Sequence, residues 1–530
     1  MAKRIIALLI VLAMVFSLAA CNNGGNNNNG AQTNTGGNNA APAVDKYGGA
    51  YRVITTAKCA GLLPITYNVA AQFADPCYEG LVWIDSLDNS VKCVLCTEYK
   101  LSDDGKTVTC KLRQGVKFHD GSDFNADVVV WNYEVANKNK ILSRAHSPKA
   151  VKVDDYTVNI VFDQKYIDYE NALNLRMCSK AYYEKVGEDA NFYSPCGTGP
   201  FKFKGYVPDT SVSYERWEGY WGKADNGDQL PYLDLYEILS INDDNAMMTA
   251  MVNGDGDVMK MGTQSVIDQL KALGFEDKRI MGSDAFILYT ISPFDGHDPN
   301  NPWANVKVRE AIMKYGLDYQ KIMKLGEPEL GILDHNMGAT NCLCYTDELN
   351  KAYTYDKDKC LAMLKEAGYA NGFETTIFCI SIATDVATAI QSSLKELGIT
   401  CKVETVGSAD PRRKDGTTPG IFMGTLPSYW DNIAQTIGST YDPESNSYAK
   451  NMIFSEKYTK ERLAALGAGS YDERKVLGVQ CIKTLCLEDW TTAVVCHVPT
   501  PIFESMDVHD SHSGNFQMTP ATIWREVKNK

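Results

Sequence analysis

The chain has 530 residues, 44% of them apolar and 22% charged, and carries a formal net charge of −14. These proportions are those of a soluble globular protein, and the length exceeds one ordinary core, so two or three domains are expected. The acidic balance argues against nucleic acid or anionic lipid as partners, since both reward clustered Lys and Arg.

In chain order, Lys3 and Arg4 precede an apolar run from Ile5 to Leu18, and Leu18-Ala19-Ala20-Cys21 follows. A charged start, a short apolar stretch and small residues make residues 1–20 an export signal. The final four residues resemble the lipobox of bacterial lipoproteins, which implies that Cys21 is diacylated and becomes the mature N-terminus. Acyl chains contribute about 0.8 kcal/mol per buried methylene, so such a Cys21 anchors the chain to the extracytoplasmic face of the cell membrane. Residues 21–44 are mostly Asn, Gly, Thr and Ala and read as a flexible tether, with a random-coil reach of roughly 25 Å. Beyond it, no apolar run is long enough to span a bilayer.

Lys92 to His119 reads as a β-hairpin region, with Leu101-Ser102-Asp103-Asp104-Gly105 as its polar turn. Alternation places Val108, Cys110 and Leu112 on one face of the second strand. Asn125 is a good N-cap and Asp127 suits a first helical turn, so a helix carrying Val128, Trp131, Asn132 and Val135 is expected next. Sixteen cysteines in an exported chain leave buried thiols and disulfides both open. Cys379, Cys401 and Cys496 lie in strand-like stretches and Cys360 on a helix face, where small apolar residues would serve. Cys93/Cys96 and Cys342/Cys344 have the look of metal half-sites, but neither has a second pair at usable spacing, so no metal or other cofactor is expected.

Further on, Asp356 caps a helix bearing Cys360, Leu361, Leu364 and Ala367, closed by Gly368. Phe373 to Ile382 then reads as a near-continuous apolar strand. Ala387, Ile390, Leu394 and Leu397 recur at helical spacing, Gly398 stands where αL geometry is wanted, and Ile399, Cys401 and Val403 alternate as a strand. Strand, helix, strand is a parallel α/β unit.

The segment Leu112-Arg113-Gln114-Gly115-Val116-Lys117-Phe118-His119-Asp120-Gly121, with Phe124 and Ala126-Asp127-Val128, resembles the signature of the peptide-type (family 5) solute-binding proteins of ABC importers. Tyr78-Glu79-Gly80-Leu81, Cys196-Gly197-Thr198-Gly199-Pro200-Phe201, Tyr220-Trp221-Gly222, Val306 to Ile312, Gly316-Leu317-Asp318 and Tyr355 to Gly372 resemble further segments of that family, in the same order. The resemblance implies an α/β, two-lobed periplasmic-binding-protein-like fold of type II with an extra domain inserted in the first lobe. Lobe 1 would comprise 45–80, 197–290 and 495–530, the insertion 81–196, and lobe 2 residues 291–494. Ligand would bind in the cleft between lobes.

No Gly-x-Ser-x-Gly, His-Glu-x-x-His or P-loop occurs, and no enzymatic activity is expected. His119 beside Asp120 falls in a turn after a strand, and His509 to His512 reads as a polar loop. Peptide-binding members of the family pair an Asp close after a Trp with the ligand ammonium, which implies a counterpart within Met423 to Asp431. Asp431 is the first candidate, with Tyr429 and Trp430 offering π-faces. Trp430 and Asp431 are adjacent here, whereas the peptide-binding pattern separates the two, and Asp442 is a rival. The resemblance implies a monomeric receptor that delivers a short peptide to a membrane permease. An oligosaccharide receptor of the same fold, or a surface sensor or adhesin, remain alternatives.

Overall fold

The computed structural model describes residues 46–525 apart from 68, 85–89, 143–146, 261–263, 279–285, 329, 339, 341, 408–409, 414, 416, 428–432, 434–435, 444–448, 500 and 512–519. The signal, Cys21 and the tether therefore lie outside the described residues. Among the described residues no helix is long and apolar enough to cross a membrane.

The expected hairpin forms one side of a four-stranded antiparallel sheet, in the order Cys96–Leu101, Thr107–Leu112, Thr157–Val161, Lys149–Asp154. Its turn is built by Asp104, whose carboxylate accepts from Ser102 Oγ at 2.6 Å and from Lys106 N at 3.0 Å. Val108, Cys110 and Leu112 are buried together, as their alternation requires. Asn125 caps the helix Ala126–Lys138 by accepting from Val128 N at 3.2 Å. The buried stripe of that helix is Val129, Asn132, Tyr133 and Ala136, while Val128, Trp131 and Val135 are half-buried at its flank. Asn132 is drawn inward because its amide bridges Val128 O and Cys178 O and accepts from Cys178 N.

A seven-stranded mixed sheet runs in the order Glu276–Asp277, Ile502–Glu504, Val258–Lys260, Ala50–Thr55, Leu235–Ser240, Ser211–Arg216, Phe201–Val207. Its central strand Ala50–Thr55 pairs in parallel on both sides. A five-stranded sheet follows the order Thr400–Thr405, Glu374–Cys379, Gly420–Pro427, Phe286–Phe294, Ala493–Pro499. The predicted α/β unit is its parallel half. Asp356 caps the helix Lys357–Glu366, and Gly368 and Gly398 both take positive φ, +93° and +79°. Leu361, however, is exposed. The strand expected to reach Ile382 stops at Cys379, because Ser381–Ala383 turn as a 3₁₀ segment into the helix Thr384–Glu396 and leave Ile382 exposed.

The chain passes from the seven-stranded to the five-stranded sheet between Asp277 and Phe286, and returns between Pro499 and Ile502. The core beneath the four-stranded sheet is continuous with one face of the seven-stranded sheet, while the five-stranded sheet buries a separate core on each face. All fifteen described cysteines are free thiols and thirteen are buried. They fill apolar space, and burial pushes thiols such as Cys110 and Cys360 up to about 12, which keeps them protonated and unreactive.

Candidate functional site

Three of the sequence motifs meet at one carboxylate. Glu79 follows the short helix Ala71–Ala74 and a turn, and its Oε1 accepts from Tyr220 OH at 2.8 Å. Its Oε2 accepts from Thr198 Oγ1 at 2.8 Å and Trp221 Nε1 at 3.0 Å. The Arg113 guanidinium lies 4.3 Å from the Trp221 ring centroid, so a fourth segment backs the cradle. Desolvation pushes the Glu79 carboxyl up to about 7, against the pull of its three donors and the Arg113 charge. Nothing in the sequence assigned Thr198, Tyr220 and Trp221 to Glu79. The signal was present as three motifs in order, but order carries no partner information.

His119 locks the same region from the other side. Its Nε2 donates to Gly199 O at 2.8 Å, and Nδ1 lies 3.7 Å from Cys77 Sγ. Burial lowers the ring to about 4, so it stays neutral, and its edge meets Trp217 at 4.7 Å. A Cβ on Gly197 would approach Cys77 O to 2.1 Å, which explains the glycine in that motif. His119 is thus a structural hydrogen-bonding residue in a turn after a strand.

Beside Glu79 lies a recess of about 390 Å³, lined among others by Asp75, Tyr78, Trp83, Arg176 and Tyr220. Asp75 accepts from Arg176 Nε at 2.6 Å, and burial raises its carboxyl to about 6 despite the guanidinium. None of the residues lining this recess comes from the five-stranded sheet, so it is not a cleft between the two larger sheets.

The segment expected to hold the ligand anchor begins in strand Gly420–Pro427, where Met423 is buried. Tyr429, Trp430 and Asp431 lie outside the described residues. Asp442 is described and 8% exposed, with Oδ1 2.9 Å from Arg462 Nη1. Around it, Tyr458 OH donates to Tyr441 O at 2.9 Å and Tyr441 OH lies 3.1 Å from Thr492 Oγ1. The carboxylate that rivalled Asp431 is therefore already engaged by a buried guanidinium. His509 belongs to a short strand, Val508–His509, and stacks on Trp524 at 4.1 Å instead of sitting in a polar loop; His512 lies outside the described residues. Among the described residues no group of three or more His, Cys, Asp or Glu side chains is suited to a metal ion.

The sequence pattern of "Bacterial extracellular solute-binding proteins, family 5 Middle" matches residues 90–447. The glutathione-binding protein GsiB of Salmonella typhi is 31% identical over 343 residues, covering 62% of this chain and 63% of that protein. The match thus spans less than two thirds of that relative's length. Among solved structures, the periplasmic binding protein DppA of Helicobacter pylori, in complex with peptide STSA, superposes with a TM-score of 0.74 at 20% identity, over 91% of this chain and 99% of that one. NikZ of Campylobacter jejuni, in complex with Ni(L-His), gives 0.72 at 20% identity, over 88% and 97%. These likenesses establish the mixed α/β periplasmic-binding-protein fold.

Proposed function

The chain belongs to the bacterial extracellular solute-binding proteins of family 5, a non-enzymatic binding family, and on that premise we propose that it is the receptor of an ABC importer. It captures a short peptide between two lobes and delivers it to a membrane permease, while a lipid on Cys21 keeps it at the membrane. The single observation carrying this reading is the double passage of the chain between two separate sheets, at 277–286 and 499–502. Two short connections between separately packed bodies permit hinge closure around a ligand. Lobe 1 with its insertion 81–196 and lobe 2 are the moving parts; the expected bounds at 290 and 495 fall inside the strands Phe286–Phe294 and Ala493–Pro499 of the five-stranded sheet, so the crossings at 277–286 and 499–502 replace them. In lobe 2, Asp431 takes the ligand ammonium and Tyr429 and Trp430 supply π-faces, while the rival carboxylate Asp442 is held by Arg462.

Thermal-shift measurements against di- to pentapeptides, glutathione, a nickel–histidine complex and oligosaccharides test the ligand class. A shift with peptides is expected; a shift with a glycan alone overturns the peptide assignment. Asp431→Ala is expected to weaken peptide binding at least about tenfold, the size of one lost charge-assisted hydrogen bond. Unchanged affinity removes Asp431 from the site.

A further inference from the structure

Asp168 stands at the N-cap position of the helix Tyr169–Leu173, where an aspartate ordinarily accepts from a backbone N–H of the first turn. Its side chain makes no such bond. Both carboxylate oxygens instead accept from Arg474 Nη1, at 2.6 and 2.5 Å, across 306 positions of sequence. Asp168 is 3% exposed and Arg474 2%. The neighbouring residues repeat the approach: a Cβ on Gly469 would meet Lys165 Nζ at 2.7 Å and Glu473 Oε2 at 3.1 Å.

The two partners belong to different bodies. Ala172 and Leu173, on the Asp168 helix, pack in the core of the four-stranded sheet with Val108 and Cys110. Cys481 and Ile482, on the Arg474 helix Tyr471–Lys483, pack with Phe422 and Val494 of the five-stranded sheet. Among the described residues these two cores share no member. A buried guanidinium–carboxylate contact has different consequences here from an apolar one. It specifies one mutual orientation, and both groups regain hydration when they separate, so opening is not opposed by exposed apolar surface. A local rule broken at Asp168 in favour of a long-range partner is the mark of a functional contact.

We propose that Asp168 and Arg474 are positioning residues that latch the inserted sheet to the second lobe in the ligand-retaining arrangement, and so set how often the receptor opens. The proposal rests on the receptor reading above for what opening accomplishes; the contact itself needs no ligand. Removing either partner deletes the contact that holds the two bodies in this orientation, so the population shifts toward the open form.

The test is a distance measurement on the ligand-free full chain, by pulsed electron resonance between nitroxides on noncanonical residues at the exposed positions Val151 and Val476. Asp168→Asn and Arg474→Gln are each expected to raise the long-distance fraction at least tenfold. The double reversal, Asp168→Arg with Arg474→Asp, is expected to restore the wild-type distribution, which loss of a merely structural contact would not do. Folded single variants that keep the wild-type distance overturn the latch, as does a reversal that stays open. Should the single variants fail to fold, Asp168→Glu decides: its longer side chain spoils the seat and is expected to lengthen the distribution, and an unchanged one overturns the proposal. Failure of the receptor reading would register separately, as no thermal shift with any solute while these distances still respond.

Discussion

Glu79 and Asp442 are both carboxylates withdrawn from bulk water, one in the body that holds the seven- and four-stranded sheets and one in the body of the five-stranded sheet, and they are stabilised by opposite means. Glu79 is held by a phenol, a hydroxyl and an indole N–H, with the Arg113 charge further off. Asp442 meets a guanidinium directly at 2.9 Å. A cradle of neutral donors leaves the carboxyl free to titrate, and Glu79 rises to about 7. A direct ion pair instead makes each partner's removal costly. Substitution separates the two designs.

The largest effect is expected where a buried ion pair would be broken. Arg462→Met removes the guanidinium that Asp442 meets at 2.9 Å, and chemical denaturation should show a loss of about 3 kcal/mol. Gly197→Ala comes next, because its Cβ would lie 2.1 Å from Cys77 O and the motif backbone must shift. A loss of about 2 kcal/mol is expected in the same assay, within the range for overpacking a filled interior. Trp221→Phe keeps an aromatic ring but removes the pyrrole ring whose Nε1–H is one of three donors to Glu79, the lost hydrogen bond alone costing about 1 kcal/mol. A loss as large as that of Arg462→Met would show that the neutral cradle behaves as an ion pair after all.

The smallest effect is a slope. Glu79 and Asp75 are raised from 4.5 and 3.8 to about 7 and about 6 in the fold, so their contribution is present below the unfolded values and lost as pH rises through 6 to 7. His119 is lowered from 6.5 to about 4, so its contribution is present above 6.5 and lost as pH falls toward 4. Comparing melting temperatures at about pH 5 and about pH 8, Glu79→Gln should lose less on the alkaline side than the wild type. Equal alkaline losses would assign the slope to other groups.

The hairpin, its turn, the cap at Asn125 and the α/β unit from Glu374 to Thr405 were legible because each depends on residues within a few positions of one another. The helix carrying Val128, Trp131, Asn132 and Val135 forms as expected, but that Asn132 turns fully inward depends on Cys178, a partner from another segment. His509 was assigned to a loop because Trp524, on which it stacks, gives no local signal. The motifs at Glu79, Thr198 and Tyr220–Trp221 were recognisable one by one, and only the fold brought them to a single carboxylate.

By itself, the sequence determined the family, the α/β class and a signal resembling a lipoprotein's, since these are written in short spacings and contiguous motifs. The tertiary structure alone decided what each polar side chain is for. Asp168 looks in sequence like a helix cap and becomes the partner of an arginine 306 positions away; Asp442 looks like a free anchor and is held by Arg462. A buried charge takes the partner that packing delivers to it, because leaving it unmatched in a medium of low dielectric constant costs more than any local preference can offset.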